Sequence, residues 1–316
     1  MTKGSLWKIA ALALGVFAAG CGGGGDDDDT GSDSGTTDQA AAEWAAIPTT
    51  TDINGGNIYV NTRDMPMVAD YGCLGMADTT PGSTLTTLTV NGTLFDFQNS
   101  TTPVVAATVD VWNDISKLGM TPDATATTDG QGKFTITVPG VMGKKRLHWR
   151  SRKTGETFDT FELADPFDFS AAAPMTQTLN RNSVSIFTGG ALPALAGITR
   201  KAGTGVIAGS LRDCNRKEVG NAIATVLGAD DKPIPGIKVV YMSDQNLPRR
   251  RDPSVRHSLA TNAKNGIFIV VDVPPSTGTV KMVAEGNING VRTRLAEFSA
   301  PVFADSVVVV DADPKR

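Results

Sequence analysis

The chain has 316 residues, of which 40% are hydrophobic and 6% aromatic, and its formal net charge is −4. That length allows two domains, each with its own core. Residues 22–43 carry seven acidic residues and no basic one, which leaves residues 44–316 with 27 basic and 26 acidic residues. A nearly neutral body lacks the basic surface that nucleic-acid binding needs, and we expect no nucleic-acid partner.

Residues 1–20 are expected to form a signal peptide. Lys3 and Lys8 form a positive segment before an apolar run at residues 9–19 that is too short to span a bilayer. The sequence Ala-Ala-Gly-Cys that ends at Cys21 resembles a bacterial lipobox, although Ala18 stands where Leu is usual. The resemblance implies lipidation of Cys21 and a membrane anchor. The alternative is an ordinary signal peptide with Cys21 free.

The residue after the cysteine and the segment that follows refine this prediction. Gly22, in place of Asp, favours the outer membrane over the inner one, by analogy with Gram-negative bacteria. Residues 21–46 are expected to be a disordered tether, because a segment rich in Gly and Asp buries too little apolar surface to order itself. Asp26 to Asp29 lack the spaced ligands of a specific calcium site.

The body that follows the tether is predicted to be all-β. Short apolar or alternating segments, rich in Val, Ile and Thr, recur between turn residues, as in a β-sandwich. They lie at residues 88–97, 104–112, 134–138, 206–211, 237–241, 268–273, 280–284 and 306–310. We assign residues 47–180 to a first sandwich domain, with its core at 85–169, and residues 203–316 to a second. Gly189, Gly190 and Pro193 should break any helix in the connector at 181–202.

An internal repeat supports the division into two domains. Residues 90–96 align with 207–213, and residues 126–134 align with 260–268. The alignment pairs Gly92 with Gly209 and Phe134 with Phe268. Asp129 of the first copy has no counterpart in the second, whereas the last glycine of the loop is kept. We therefore interpret residues 129–132 as a hairpin turn and not as an anion or cation site.

Both copies resemble carboxypeptidase regulatory-like domains, which are transthyretin-like (prealbumin-like) β-sandwiches. The first copy carries the resemblance in Val90, Gly92, Leu94 and Asp96, followed by Thr-Asp-Gly-Gln-Gly-Lys-Phe at residues 128–134. The second carries it in Gly209, Leu211 and Asp213, and in Lys-Pro-Ile-Pro-Gly-Ile-Lys-Val at residues 232–239. The resemblance implies two tandem sandwiches of this kind. Members of the family serve as spacer and binding modules, so it implies no particular activity.

Three cysteines in an exported chain leave one pair if Cys21 is lipidated. Cys73 and Cys214 would then form a disulfide, and the alternative is two free thiols. The bridge would close a loop of about 140 residues and stabilise the fold by up to about 4–5 kcal/mol in the chain-entropy model.

No catalytic site, metal site or cofactor is predicted. The two histidines, His148 and His257, lie outside any zinc-binding or hydrolase motif. An intradiol dioxygenase holds iron with two tyrosines and two histidines. The chain contains enough of both, but it lacks the close spacing of that family.

Two basic stretches remain. Residues 144–153 should place Arg146, His148, Arg150 and Arg152 on one strand face, most simply as a solvated surface. Residues 247–257 form an Arg-rich insertion in the second copy. Its arginines could contact an anionic glycan, a lipid headgroup or an acidic partner, and the alternative is a solvated loop. They are Arg249, Arg250, Arg251 and Arg256.

The function these features favour is that of a non-catalytic, lipid-anchored envelope protein whose sandwiches have a structural role or bind an unidentified envelope protein or polysaccharide. One alternative is a carbohydrate-binding module that uses Trp112, Trp149 and the arginines. A more remote one is an enzyme built on the same sandwich.

Overall fold

A computed structural model describes residues 44, 54–62, 65–79, 81–166, 176–249 and 259–314. Cys21, the signal peptide, the tether before Trp44 and three of the four candidate arginines lie outside these residues.

The described chain is almost entirely β, which confirms the predicted fold class. Its one α-helix of more than one turn, α1, is Ile186–Leu195. The strands are β1 Tyr59–Thr62, β2 Met65–Val68, β3 Thr87–Asp96, β4 Thr108–Trp112, β5 Ala124–Thr127, β6 Lys133–Pro139, β7 Arg146–Arg152, β8 Asp159–Pro166, β9 Thr176–Thr178, β10 Arg181–Ser183, β11 Gly205–Leu211, β12 Ile223–Leu227, β13 Lys238–Tyr241, β14 Ile267–Val273, β15 Ser276–Ile288, β16 Val291–Val302 and β17 Ser306–Ala312.

An eight-stranded central sheet runs through the whole body, in the order β13-β14-β11-β17-β8-β7-β4-β5. A four-stranded sheet of β3, β6, β9 and β10 packs on the half that contains β4 and β7, and the two enclose one hydrophobic core. A three-stranded sheet, β12-β15-β16, packs on the half that contains β11 and β14 and encloses another. We call these the first and the second sandwich. They share one sheet.

The two covering sheets lie on opposite faces of the central sheet. Register partners in neighbouring strands point to the same face. Phe161 of β8 is the partner of Val308 in β17, and both belong to the core of the second sandwich. Trp149 of β7, whose partner in β8 is Glu162, points the other way and belongs to the core of the first. The cores of the two sandwiches therefore lie on opposite faces of one sheet.

Strand β17 joins the two sandwiches. It pairs in parallel with β11 on one side and with β8 on the other. Its residues Val307, Val308 and Val310 are at most 5% exposed, so the strand is buried on both faces. A strand that is buried on both faces typically has a continuous apolar sequence, as residues 307–310 do.

The glycines and phenylalanines that define the repeat have the same packing role in both copies. Gly92 is the register partner of Phe134, and Gly209 is the partner of Phe268. In each pair, a Cβ added to the glycine would overlap the phenylalanine ring. The ring crosses the neighbouring strand at the one position that has no side chain, and this lets a large aromatic fill each core.

Helix α1 differs from the prediction that glycine and proline would break it. Ser185 caps the helix, since its hydroxyl accepts a hydrogen bond from the N–H of Thr188 at 3.1 Å. Gly189 faces Phe158, and a Cβ at this position would overlap the ring. The helix therefore needs the glycine for close approach to the sheet. Tertiary packing outweighs the weak helix propensity of the segment.

The N-terminal part of the body packs against the second sandwich. Described residues 54–62 and 65–79, which we call the strap, precede the first repeat in sequence. Ile58, Tyr59 and Val60 are no more than 3% exposed. The N–H of Ile58 donates to the carbonyl of Asn287 at 2.9 Å, and Tyr59 exchanges backbone hydrogen bonds with Gly220. The first-domain boundary at residue 47 stays a prediction.

Candidate binding surfaces

Cys73 and Cys214 lie at disulfide distance, with their sulfur atoms 2.00 Å apart. Cys73 ends a turn of the strap, and Cys214 follows β11. The N–H of Cys214 also donates to the carbonyl of Asp70 at 2.8 Å, and the hydroxyl of Tyr71 donates to the carbonyl of Arg212 at 3.1 Å. The strap is therefore held to the second sandwich by a covalent bond and by hydrogen bonds. Burial raises the pKa of Tyr71 far above its ordinary value, so the phenol stays a donor.

Arg249 is the one described member of the candidate arginine cluster. Its backbone N–H donates to the carbonyl of Tyr241 at 3.0 Å, which places it beside β13 at one edge of the central sheet. Its side chain is partly buried, and its Nε has no hydrogen-bond partner. Arg250, Arg251 and Arg256 lie outside the described residues, and an anionic contact at this loop stays a prediction.

The basic strand at residues 146–152 is largely neutralised within the fold. The guanidinium of Arg150 donates to the carboxylate of Asp110 from Nε at 3.0 Å and from Nη2 at 2.5 Å. The Asp110 side chain is 3% exposed, and the pair satisfies a charge that would be costly to bury alone. Arg150 also lies 5.4 Å from the ring centroid of Trp112. This face therefore serves internal packing.

Neither tryptophan proposed for sugar binding is accessible. Trp112 is 0% exposed and Trp149 is 1% exposed. Stacking on a sugar ring requires an exposed aromatic face, so these two side chains cannot provide it in this conformation.

The turn at residues 129–132 uses its own acidic residue. The Asp129 carboxylate accepts hydrogen bonds from the N–H groups of Gln131 and Lys133, both at 2.8 Å. These bonds hold the pKa of Asp129 below its ordinary value. Gly132 has φ of 72° and its counterpart Gly266 has φ of 60°, as a turn with a left-handed residue requires. The carboxylate is turned inward to the loop backbone.

The side chains that an iron dioxygenase would need are dispersed. Tyr71 donates to a backbone carbonyl, as described above. The hydroxyl of Tyr241 accepts a hydrogen bond from the N–H of Ala224 at 2.9 Å in the second core. His148 lies on β7 of the first sandwich, and His257 lies outside the described residues. Among the residues that the structure describes, no three His, Cys, Asp or Glu side chains are grouped for a metal ion.

An apolar cleft lies between helix α1 and the face of the central sheet opposite the second core. Its cavity volume is about 40 Å³, and most of the side chains that line it are buried. Its lining is entirely apolar: Phe97, Val184, Gly189, Leu192, Pro193, Val206, Ala208, Met242, Ile267, Ile269, Val307 and Val309. Ile186 and Phe187 are 47% and 71% exposed on the same helix. An exposed aromatic beside an apolar cleft is a typical anchor point for a protein or peptide partner.

Sequence reasoning did not find this surface. The sequence predicts a broken connector where the helix lies, and the sheet residues of the cleft come from β11, β14 and β17, which are far apart in the chain. The one available signal was the apolar run at residues 183–198, which is long for a connector on a soluble surface.

No family model matches the chain, and no curated protein matches it. Solved structures give distant likenesses. The Bacillus anthracis TIE protein aligns with a TM-score of 0.23 and 12% identity, over 72% of this chain and 34% of its own. A streptococcal ancillary pilin gives 0.21 and 12%, over 72% and 69%. Chlorocatechol 1,2-dioxygenase from Pseudomonas putida gives 0.20 and 14%, over 40% and 71%.

At these TM-scores the likenesses carry no argument about function. This chain spans 34% of the TIE protein's length. Within the described residues, no helix has the length and apolar character needed to cross a membrane.

Proposed function

We propose that this chain is a non-catalytic, lipid-anchored protein of the cell envelope, at the outer membrane, whose two sandwiches act as one rigid body that binds an envelope partner. The observation that carries the proposal is the shared central sheet. Hinged modules would be joined by a linker, whereas β17 hydrogen-bonds to both halves here. A rigid body of this kind favours a structural role, or a role in which it holds a partner at a fixed distance from the lipid anchor.

The likeness of the repeats to carboxypeptidase regulatory-like domains supports the same proposal. The glycine and phenylalanine pairs of both copies, and the turn glycines Gly132 and Gly266, are the motif positions that build each sandwich. None of these positions supplies a reactive group. These positions therefore favour modules whose role depends on their shape. We assign no catalytic residue and no cofactor.

The partner-binding surface we propose is the α1 surface: the cleft together with Ile186 and Phe187. Its exposed side chains, Ile186 and Phe187, are apolar, which favours a protein over a polysaccharide, because a polysaccharide would need polar groups beside an aromatic ring. With Trp112 and Trp149 buried, no specific observation favours carbohydrate as the ligand.

A photo-cross-linking residue at position 187 in intact cells tests this proposal. We expect the photo-cross-linking residue at position 187 to capture the same envelope protein in repeated experiments. The matched control is the same replacement at Met142, which is 60% exposed in the first sandwich. Equal capture at both positions, or none at position 187, would contradict partner binding at the α1 surface.

Lipidation is tested separately, by metabolic labelling with an alkyne fatty acid. Label on the wild-type chain that is lost in Cys21→Ser supports the anchor. Absence of label on the wild-type chain would leave an unanchored secreted protein.

A further inference from the structure

The β1–β2 hairpin of the strap carries the most concentrated run of exposed apolar side chains in the described chain. Met65, Met67 and Val68 are 70%, 53% and 82% exposed. Strand β2 pairs with β1 and with no other described strand. Three large apolar groups within four residues, held away from either core, leave an unfavourable hydration cost unless something covers them.

The hairpin is held in a fixed position before any contact is made. The strap is tied on both sides of it: Ile58 and Tyr59 precede it with backbone bonds to the second sandwich, and Cys73 follows it with the bridge to Cys214. Between hairpin and bridge, the N–H of Asp70 donates to the carboxylate of Asp213 at 3.1 Å. Because this segment is already ordered, a contact there costs little additional conformational entropy.

The chain that would lead to the lipid ends at the same side of the second sandwich. The ring centroid of Trp44 lies 4.9 Å from the guanidinium of Arg292, and Arg292 Nη2 donates to the Trp44 carbonyl at 2.6 Å. Arg292 is the register partner of Asn287. Asn287 in turn bridges to Asn57 at the start of the strap. The tether's end and the strap therefore meet at one place.

This placement reverses the order expected from the sequence. The tether precedes the first repeat in the chain, yet both its end and the strap lie on the second sandwich. The sequence predicts a disordered tether here, and a disordered chain of 22 residues, the length of 22–43, would have an end-to-end distance of about 26 Å. The second sandwich is thus the half held near an anchor at Cys21, and the first is the half presented away from it.

We propose that Met65, Met67 and Val68 of the β1–β2 hairpin contact the surface of the lipid bilayer in which the chain is anchored. The proposal rests on the lipid anchor of the proposed function. Exposed apolar side chains on a rigid hairpin can enter the boundary between headgroups and acyl chains. Asp70 is exposed beside the hairpin, and the tether is acidic, so zwitterionic lipids fit this surface better than anionic ones.

The test uses the lipidated full chain in vesicles of phosphatidylethanolamine and phosphatidylcholine. Cys21 is acylated and Cys73 is bonded to Cys214, so a new cysteine is the free thiol for an environment-sensitive fluorophore. We compare Val68→Cys with Met120→Cys, whose native side chain is 67% exposed in the loop between β4 and β5. We expect the fluorescence of the label at position 68 to shift to the blue and to be quenched by lipids that carry a spin label. The fluorescence of the label at position 120 should show neither change.

The outcomes separate the inference from the proposed function. A chain that does not float with the vesicles refutes the anchor. A chain that floats, with the label at position 68 still reporting water or with both labels responding equally, overturns the membrane contact alone. If the label at position 68 shifts without vesicles in a Cys21→Ser chain that sediments as a dimer, the hairpin binds a second copy, and the membrane contact is likewise overturned.

A second comparison tests the side chains themselves. With the label at Pro66→Cys, replacing Met65, Met67 and Val68 by serine should abolish the blue shift. Replacing Met120 and Met142 by serine, which removes apolar side chains at two other exposed sites, should leave the shift intact. A shift that survives the hairpin substitutions would contradict the proposal.

Discussion

At the scale of the residue, the repeat is defined by the fit between a glycine and an aromatic ring. Gly92 and Gly209 lie in β3 and β11, and the rings of Phe134 and Phe268 cross them from the neighbouring strand. The sequence alignment pairs these residues without saying why. The structure gives the reason. Each core is filled by a phenylalanine ring, and any side chain at the glycine position would occupy the space of that ring.

Gly92→Ala should destabilise the first sandwich. The added Cβ would overlap both the Phe134 ring and the carbonyl oxygen of Leu179, which is backbone and cannot move away easily. We expect a loss of about 1–3 kcal/mol in the free energy of unfolding, measured by urea denaturation. Gly130→Ala is the matched control, because nothing lies within 4 Å of the added atom. An equal effect of both substitutions would contradict the packing argument.

At the scale of the element, helix α1 is decided by its cap and by the surface it covers. Its outer side is apolar and exposed at Phe187, and its inner side packs through Gly189 and Pro193. Such a helix derives its stability from tertiary contacts and from Ser185, and little from its own propensity. This is also why it could not be predicted from residues 183–198 alone.

Ser185→Ala should weaken the cap of α1. Loss of the hydrogen bond to the N–H of Thr188 should cost about 0.5–2 kcal/mol in the free energy of unfolding. Ser185→Asp keeps an acceptor at the same position and should restore most of that stability. Hydrogen exchange at the amides of the first helical turn would localise the effect. Unchanged exchange in Ser185→Ala would show that the cap does not hold the helix.

At the scale of the whole molecule, two features connect parts that are distant in the sequence. The C-terminal strand β17 completes the sheet between the two sandwiches, so the last strand of the chain lies at its centre. The bridge between Cys73 and Cys214 ties the strap to the second sandwich across a sequence separation of 141 residues. The repeats are therefore parts of one body, although each copy has its own core.

Replacing both Cys73 and Cys214 by serine should lower the stability of this body. The chain-entropy model gives a loss of up to about 4–5 kcal/mol for a loop of this length. Thermal unfolding of the wild-type chain with and without reductant should show the same drop in midpoint, and the double variant should not respond to reductant. Alkylation of both thiols in unfolded, unreduced wild-type protein would contradict the bridge.

Much of the fold could be read from local pattern. Alternating and short apolar segments identified the strands, and the chemistry of residues 129–132 identified a turn, because both signals depend on near neighbours in the chain. The prediction that this turn closes a hairpin is wrong, since β5 and β6 on either side of it belong to different sheets. Trp112 and Trp149 lie in alternating segments, and the structure buries both of them. The α1 surface was missed because its lining is assembled from three separated strands and a helix of low propensity.

By itself, the sequence determined the all-β class, the internal repeat and the placing of the acidic residues in one N-terminal segment. These are properties of residue type and spacing. Tertiary structure decided that the repeats share one sheet through β17, that Arg150 is neutralised by Asp110, and that the strap lies on the second sandwich. Each of these depends on which distant segments pair, and strand pairing is fixed by the burial of whole faces, which a local pattern does not encode.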